Sequence, residues 1–191
     1  MDQLKIQLTK IHPVPYMANC FRLMNLKYLI DGDTPLSGNG YQYSSGRFHT
    51  KGSYPAIYLA EEIETTMDET LNFKQRKFPP FIIWSVEVRF SRLLDLRDEK
   101  NLYLLDTTIQ EMTGSWQRSN DHGQMAPTQL LAQTVYDSGL FEGILYLSSK
   151  SDEEQGNIVI FKERLEPTSY AKAFDPDGVI QEELVIIGES K

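Results

Sequence analysis

Hydrophobic and polar positions along the chain fall into short runs separated by Gly-, Pro- and Asn-rich breaks. The period within each run assigns it to strand or helix. The strongest strand lies at 81–90, FIIWSVEVRF, where Val86, Val88 and Phe90 alternate with polar neighbours, and 93–96 follows as a short second candidate. The run 54–60, YPAIYLA, comes after Gly52 and reads as a buried strand. Residues 20–24, CFRLM, read as a short, mostly apolar strand carrying Arg22. Three more runs, 143–147 (GILYL), 157–161 (NIVIF) and 183–187 (ELVII), are also strands. About six strands with few helices predict an α+β domain with substantial antiparallel sheet.

Two segments carry a helical period. In 61–76, EEIETTMDETLNFKQR, the residues Ile63, Met67 and Leu71 recur every fourth position as one apolar stripe with Thr66 and Thr70 beside them, and Pro79 and Pro80 stop the helix. At ~100° per residue Glu69 lies about 140° from the centre of that stripe. The pattern alone therefore turns Glu69 to solvent, together with Glu61, Glu62, Glu64 and Asp68. The second helix, PTQLLAQTVYDSG, opens at Pro127 and ends at Gly139. Residues 31–46 read as a long loop, and 149–156 as a solvated hairpin connection. The polar stretch 98–126, punctuated by Gly114 and Gly123, predicts an excursion or lid over a pocket.

Composition narrows the function classes. A length of 191 residues predicts a single domain, 1–191. A net charge of −8 excludes broad nucleic-acid or anionic-membrane binding, while leaving room for a local basic pocket. One cysteine, Cys20, excludes an internal disulfide framework and a multi-thiolate metal site. His12, His49 and His122 are scattered, so no metal is expected. No apolar run approaches the roughly 20 residues of a membrane span, and the charged N-terminus is unlike a signal peptide. A cytoplasmic location is the expectation. Gly38-Asn-Gly40 lacks the third glycine of a dinucleotide fingerprint, and there is no P-loop, HExxH or Gly-x-Ser-x-Gly motif.

What remains is SSGRFHTKGSYPAIYLAEEIETTMDET, residues 44–70, in which Arg47, Tyr58 and Glu69 fall at equal intervals. This stretch resembles the RES-domain toxin family, named for an arginine, a glutamate and a serine. SGRFHTKG is similar to the family's glycine–arginine turn, AIYLA to its tyrosine-bearing strand, and ETTMDET to the helix that carries its glutamate. Farther on, SGLFEGILYLSSKSDEEQGNIVIF resembles the later family segment and puts the serine at Ser148 and an asparagine at Asn157. CFRLM resembles the opening strand with its arginine, here Arg22. The resemblance covers about residues 20–161. The family's second glycine is replaced by Ser45, its tryptophan by Phe48 and its asparagine by His49.

The resemblance implies an ADP-ribosyltransferase-like fold: two small, mostly antiparallel sheets around an NAD cleft. It implies an enzyme that degrades NAD, as substrate rather than cofactor, by hydrolysis or phosphorolysis of the nicotinamide–ribose bond. A separate antitoxin with a helix-turn-helix domain would hold it inactive. The implied catalytic residues are Arg47, Tyr58 and Glu69, and the implied substrate-binding residues are Arg22, Gly46, Ser148 and Asn157. Transfer of ADP-ribose to a macromolecule, or an inactive NAD-binding domain, are the alternatives, the second because of Ser45 and His49. Oligomeric state stays open. The residue types suit the chemistry. A carboxylate such as Glu69 stabilises an oxocarbenium-like ribose. A ring such as Tyr58 stacks on cationic nicotinamide. Guanidinium groups such as Arg22 and Arg47 grip pyrophosphate, and the Ser148 hydroxyl donates to a phosphate or to the nicotinamide amide. Each also has a plainer reading from pattern alone: Tyr58 as core, Arg47 as a loop arginine paired with an acid, Arg22 as a snorkelling surface residue, Ser148 as turn chemistry beside Ser149.

Overall fold

The computed structural model describes residues 2–70, 78–149, 155–178 and 185–188. Its backbone is organised by two long antiparallel strands, β1 (Val14–Asn25) and β3 (Phe81–Asp95), in one register from Tyr16 opposite Phe90 to Asn25 opposite Phe81, with a shift between Tyr16 and the Val14–Leu93 pair. On its other edge β3 pairs antiparallel with β6 (Tyr170–Ala173), and its last residues pair parallel with β4 (Gly143–Leu147). From β4 the ladder continues antiparallel through β5 (Gly156–Phe161) to β2 (Ala56–Ala60). Strand β2 then meets β1 where Phe21 pairs with Ala60. A short β7 (Val185–Ile187) extends the sheet beyond β6.

The two small sheets expected from the resemblance are thus one seven-stranded sheet in the order β1-β2-β5-β4-β3-β6-β7, with β1 also paired to β3. The cause is strand length. β1 and β3 run 12 and 15 residues, long enough for β3 to pair β1 along one edge and divide its other edge between β6 and β4. The antiparallel character holds everywhere except β3–β4.

Strands β2, β4 and β5 read as continuous apolar runs because both faces are covered. Ile57, Leu59, Leu145, Ile158 and Ile160 point to a core shared with Cys20, Val86, Val88 and Phe90. Their neighbours Ala56, Ile144, Tyr146, Val159 and Phe161 point the other way. There they pack under α7 (Pro127–Ser138), which contributes Leu131, Ala132 and Val135. Helix α1 (Asp2–Leu8) adds Leu8 to that layer. Pro127 starts α7, and Gly139 ends it at φ 65°.

Several expectations are corrected. The strand expected at 20–24 begins at Val14, and the separate strand at 93–96 is the end of β3. The excursion after residue 98 is three short helices, α4 (Glu99–Leu104), α5 (Ile109–Thr113) and α6 (Trp116–Asp121), while α2 (Leu26–Ile30) continues directly from β1. Five- and six-residue helices hold too few turns to show a period. Asp98, Thr108 and Ser115 cap their first turns, each side chain accepting from a backbone N–H. The tail supplies β6 and β7 rather than one strand. Leu71 and the rest of the helix expected over 71–76, the start of the 183–187 run and most of the 149–156 run lie outside the described residues.

Candidate active site

The turn before β2 is built around Gly46. Its N–H donates to the His49 carbonyl at 2.9 Å. A Cβ on Gly46 would sit 2.5 Å from the His49 imidazole and 2.9 Å from the Tyr58 hydroxyl, so the turn closes only around glycine. Gln129, buried at the start of α7, donates to the Gly46 carbonyl at 2.8 Å and also bonds Asn120 of α6. One buried amide therefore ties turn, excursion and helix together.

His49 and Tyr58 form a fixed pair. The Ser44 carbonyl, an acceptor only, lies 3.2 Å from His49 Nε2, which must carry the proton. His49 Nδ1 then accepts from the Tyr58 hydroxyl at 2.8 Å, and that hydroxyl accepts from the Phe48 N–H at 3.0 Å. Burial holds the His49 pKa below its ordinary value and the Tyr58 pKa above it, so both are neutral at pH 7. The histidine that replaces the family asparagine thus orients the site tyrosine.

Helix α3 (Ile63–Thr70) presents Glu69. Its buried face is not the expected Ile63–Met67 stripe: Thr65 and Thr66 are buried, and Ile63 is 39% exposed. The Thr66 hydroxyl accepts from the Leu23 N–H of β1 at 3.2 Å, and Thr65 bonds Gln155. Glu69 lies one turn beyond Thr65 and Thr66 and shares their face. Its Oε1 accepts from Ser148 Oγ at 2.8 Å and from Asn157 Nδ2 at 3.3 Å. Glu61, expected in solvent, is instead a brace, accepting from Tyr16, Arg97 and the Gly156 N–H.

Arg22, Gly46, Arg47, Tyr58, Glu69 and Asn157 line one cavity of about 400 Å³, with Trp116 of α6 and Tyr146 of β4 also in its wall. Ser148 meets the cavity through Glu69, since its proton is spent on that carboxylate. Arg47 is committed too. Its Nη1 donates to the Met112 and Gly114 carbonyls at 2.8 and 2.9 Å, and its Nη2 to Ser149 Oγ at 2.7 Å. Arg22 is far less engaged, with one contact of 3.5 Å from Nη1 to the Tyr58 carbonyl and a buried Nε that has no acceptor among the described residues. Burial lowers its pKa to about 10, so it stays a cation at neutral pH. The cavity pairs a fixed carboxylate with two guanidinium groups. Among the described residues there is no cluster able to hold a metal ion, and no helix is long and apolar enough to cross a membrane.

Sequence reasoning missed Gln129, Trp116 and Tyr146. A glutamine inside the first turn of an otherwise apolar helix was the one visible sign, for Gln129. Trp116 sits on a helix without a readable period, and Tyr146 on a strand buried on both faces.

The family model for the RES domain matches residues 19–179. A comparison with curated proteins gives no match. Among solved structures, a chain of the crystal structure of the M. tuberculosis MbcT–MbcA toxin–antitoxin complex superposes with a TM-score of 0.68 at 15% sequence identity. The match covers 92% of this chain and 94% of that one, and it is a likeness of fold.

Proposed function

Because the chain belongs to the RES domain family, we propose that it is an NAD-degrading toxin that cleaves the nicotinamide–ribose bond in the cavity around Glu69. The observation that carries this reading is the Glu69 carboxylate, fixed by Ser148 and Asn157 in a pocket that also holds Arg22 and Tyr58. Breaking the C1′–N bond sends its electron pair to the pyridinium nitrogen. Neutral nicotinamide then leaves without needing a proton, and positive charge remains on the ribose. Glu69 stabilises that oxocarbenium-like cation. Water or phosphate adds to C1′ from the open side; with water, the released proton passes to solvent. Tyr58, neutral and held by His49, offers its ring to the nicotinamide. Arg22, with unspent donors, faces the pyrophosphate. Ser148 and Asn157 position Glu69, a role that differs from direct contact with phosphate or amide. Arg47 holds the excursion whose Trp116 borders the cavity.

Incubating the purified protein with NAD, with and without phosphate, tests this. Nicotinamide release is expected, and ADP-ribose or its 1″-phosphate as co-product identifies the acceptor. A folded protein that releases no nicotinamide under either condition overturns the reading, and NAD binding without product would make the chain a binding domain instead. Label from radioactive NAD on protein or nucleic acid would make it a transferase. The likeness to a toxin–antitoxin complex supports a separate antitoxin partner. With a net charge of −8 on this chain, operator binding belongs to that partner, through a helix-turn-helix domain.

A further inference from the structure

Helix α3 has eight residues, too few to hold its own position, and Glu69 sits in its last turn. Three successive residues at the start of β5 grip it. Gln155 bonds Thr65, the Gly156 N–H donates to Glu61 Oε2 at 3.0 Å, and Asn157 donates to Glu69 at 3.3 Å. Glu61, Thr65 and Glu69 follow each other by four residues, one before the helix, one at its middle and one at its end. The grip before the helix has the most partners. The Glu61 N–H donates back to the Gly156 carbonyl at 3.0 Å, which closes a ring of two hydrogen bonds between these residues. A Cβ on Gly156 would fall on the Glu61 carboxylate, so glycine leaves it room. Glu61 Oε1 also accepts from Tyr16 of β1 at 2.8 Å and from Arg97 Nη1 at 3.2 Å.

Arg97 is itself fixed by Asp95 at the end of β3. Its backbone N–H and its Nε donate to Asp95 Oδ1 at 2.9 and 3.0 Å, and its Nη2 donates to Oδ2 at 3.0 Å. An ion pair counts where one partner is held in this bidentate way and several charges share a network. The Arg97 and Glu61 side chains are 30% and 28% exposed, so solvent screens the pair only in part. Neither residue lines the cavity around Glu69, or a second cavity of about 440 Å³ that adjoins it at Arg22. Any influence on the reaction therefore runs through α3. With the grip before the helix released, α3 can turn about its Thr65 and Thr66 bonds, and Glu69, one turn beyond them, moves with it.

We propose that Glu61 and Arg97 are positioning residues for the reaction: their ion pair fixes the start of α3 against β5 and so aims the Glu69 carboxylate at the ribose. The proposal rests on the reading of Glu69 as the group that stabilises the ribose cation.

The test compares wild type with Glu61→Gln, Arg97→Gln and both together, and repeats Glu61→Gln in a Glu69→Ala background. Glutamine at 61 keeps the size and an acceptor for the Gly156 N–H and removes the charge. Each single variant is expected to lower kcat for nicotinamide release about tenfold or more, the scale of a misplaced reacting group, with KM for NAD within about twofold. The double variant should lose no more than the larger single loss. In the Glu69→Ala background Glu61→Gln should change the residual rate by less than about twofold, which a residue that only stabilised the fold would not do. Hydrogen exchange over residues 63–70 should rise in each variant. Unchanged kcat, a raised KM at unchanged kcat, single losses that multiply in the double variant, or the same loss with and without Glu69 overturns the proposal. Either single variant decides it should the other fail to fold. A wild type that releases no nicotinamide overturns the cleavage reading instead. Exchange over 63–70 then tests the ion pair by itself, and exchange unchanged in Glu61→Gln overturns it.

Discussion

The cavity has two unlike walls. One is sheet: Arg22 on β1, Tyr58 on β2 and Asn157 on β5 project from paired strands, with β2 and β5 joined along their length and covered on both faces. The other is helical: Glu69 on α3, and Trp116 on an excursion anchored in the core by Leu102, Leu105 and Met112 and hydrogen-bonded by Arg47 and Gln129. In the sheet wall many contacts determine each position together, so one side chain can change without moving the others. In the helical wall fewer contacts place each segment: Thr65 and Thr66 for α3, and Arg47, Gln129 and the buried Met112 for the excursion. Substitutions should therefore separate into those that remove chemistry and those that loosen geometry.

The largest effect is expected at Glu69. Replacing it with Ala should lower nicotinamide release by roughly 10²–10³, the scale of losing one preorganised electrostatic group, with the thermal midpoint unchanged. An equal loss of midpoint and rate would show that Glu69 braces the fold instead. Next comes Arg47→Ala, expected to cut turnover by about 10–100-fold through a misplaced excursion. Hydrogen exchange at residues 109–121 should rise in the same variant. Turnover lost with exchange unchanged would move Arg47 from the excursion to direct contact with substrate. Gly46→Ala forces a Cβ into His49 and Tyr58 and should cost about 1–3 kcal/mol of stability, read by urea titration.

The smallest effect concerns His49. Its pKa is lowered in the folded state, so the unfolded chain binds more protons below the ordinary histidine range. The stabilisation is fully present above about pH 6.5 and is lost as pH falls toward the folded value, at a slope of at most about 1.4 kcal/mol per pH unit. Urea midpoints measured from pH 8 to 5 should show this slope, and His49→Asn should flatten it. An unchanged slope in the variant would assign the pH dependence elsewhere.

Periodicity read the buried strands well. GILYL and NIVIF appear as β4 and β5, AIYLA as β2, and the Pro127–Gly139 helix as α7, because apolar runs and terminal Pro and Gly are local chemistry. It failed at α3, where two threonine hydroxyls, one bonded to β1 and one to Gln155 just before β5, lie on the buried face in place of a thin apolar stripe. Glu69 then faces the cavity and not solvent. It failed again in the excursion, whose helices are shorter than a readable period, and at β6, where YAKA pairs with β3 without an apolar run to announce it.

The residue types and their order along the chain determined the α+β class, the RES family and part of the cavity lining: Arg22, Gly46, Arg47, Tyr58, Glu69 and Asn157. The tertiary structure alone decided that one sheet replaces two, that Ser148 and Asn157 bond Glu69, that Arg47 bonds the excursion while Arg22 makes one long contact, and that a second cavity opens beside the first. The physical reason is range. Propensity, period and caps act within a few residues and are readable there. The partners of a hydroxyl, an amide or a guanidinium lie from 65 to 102 residues away in the chain, and only the packed fold selects them.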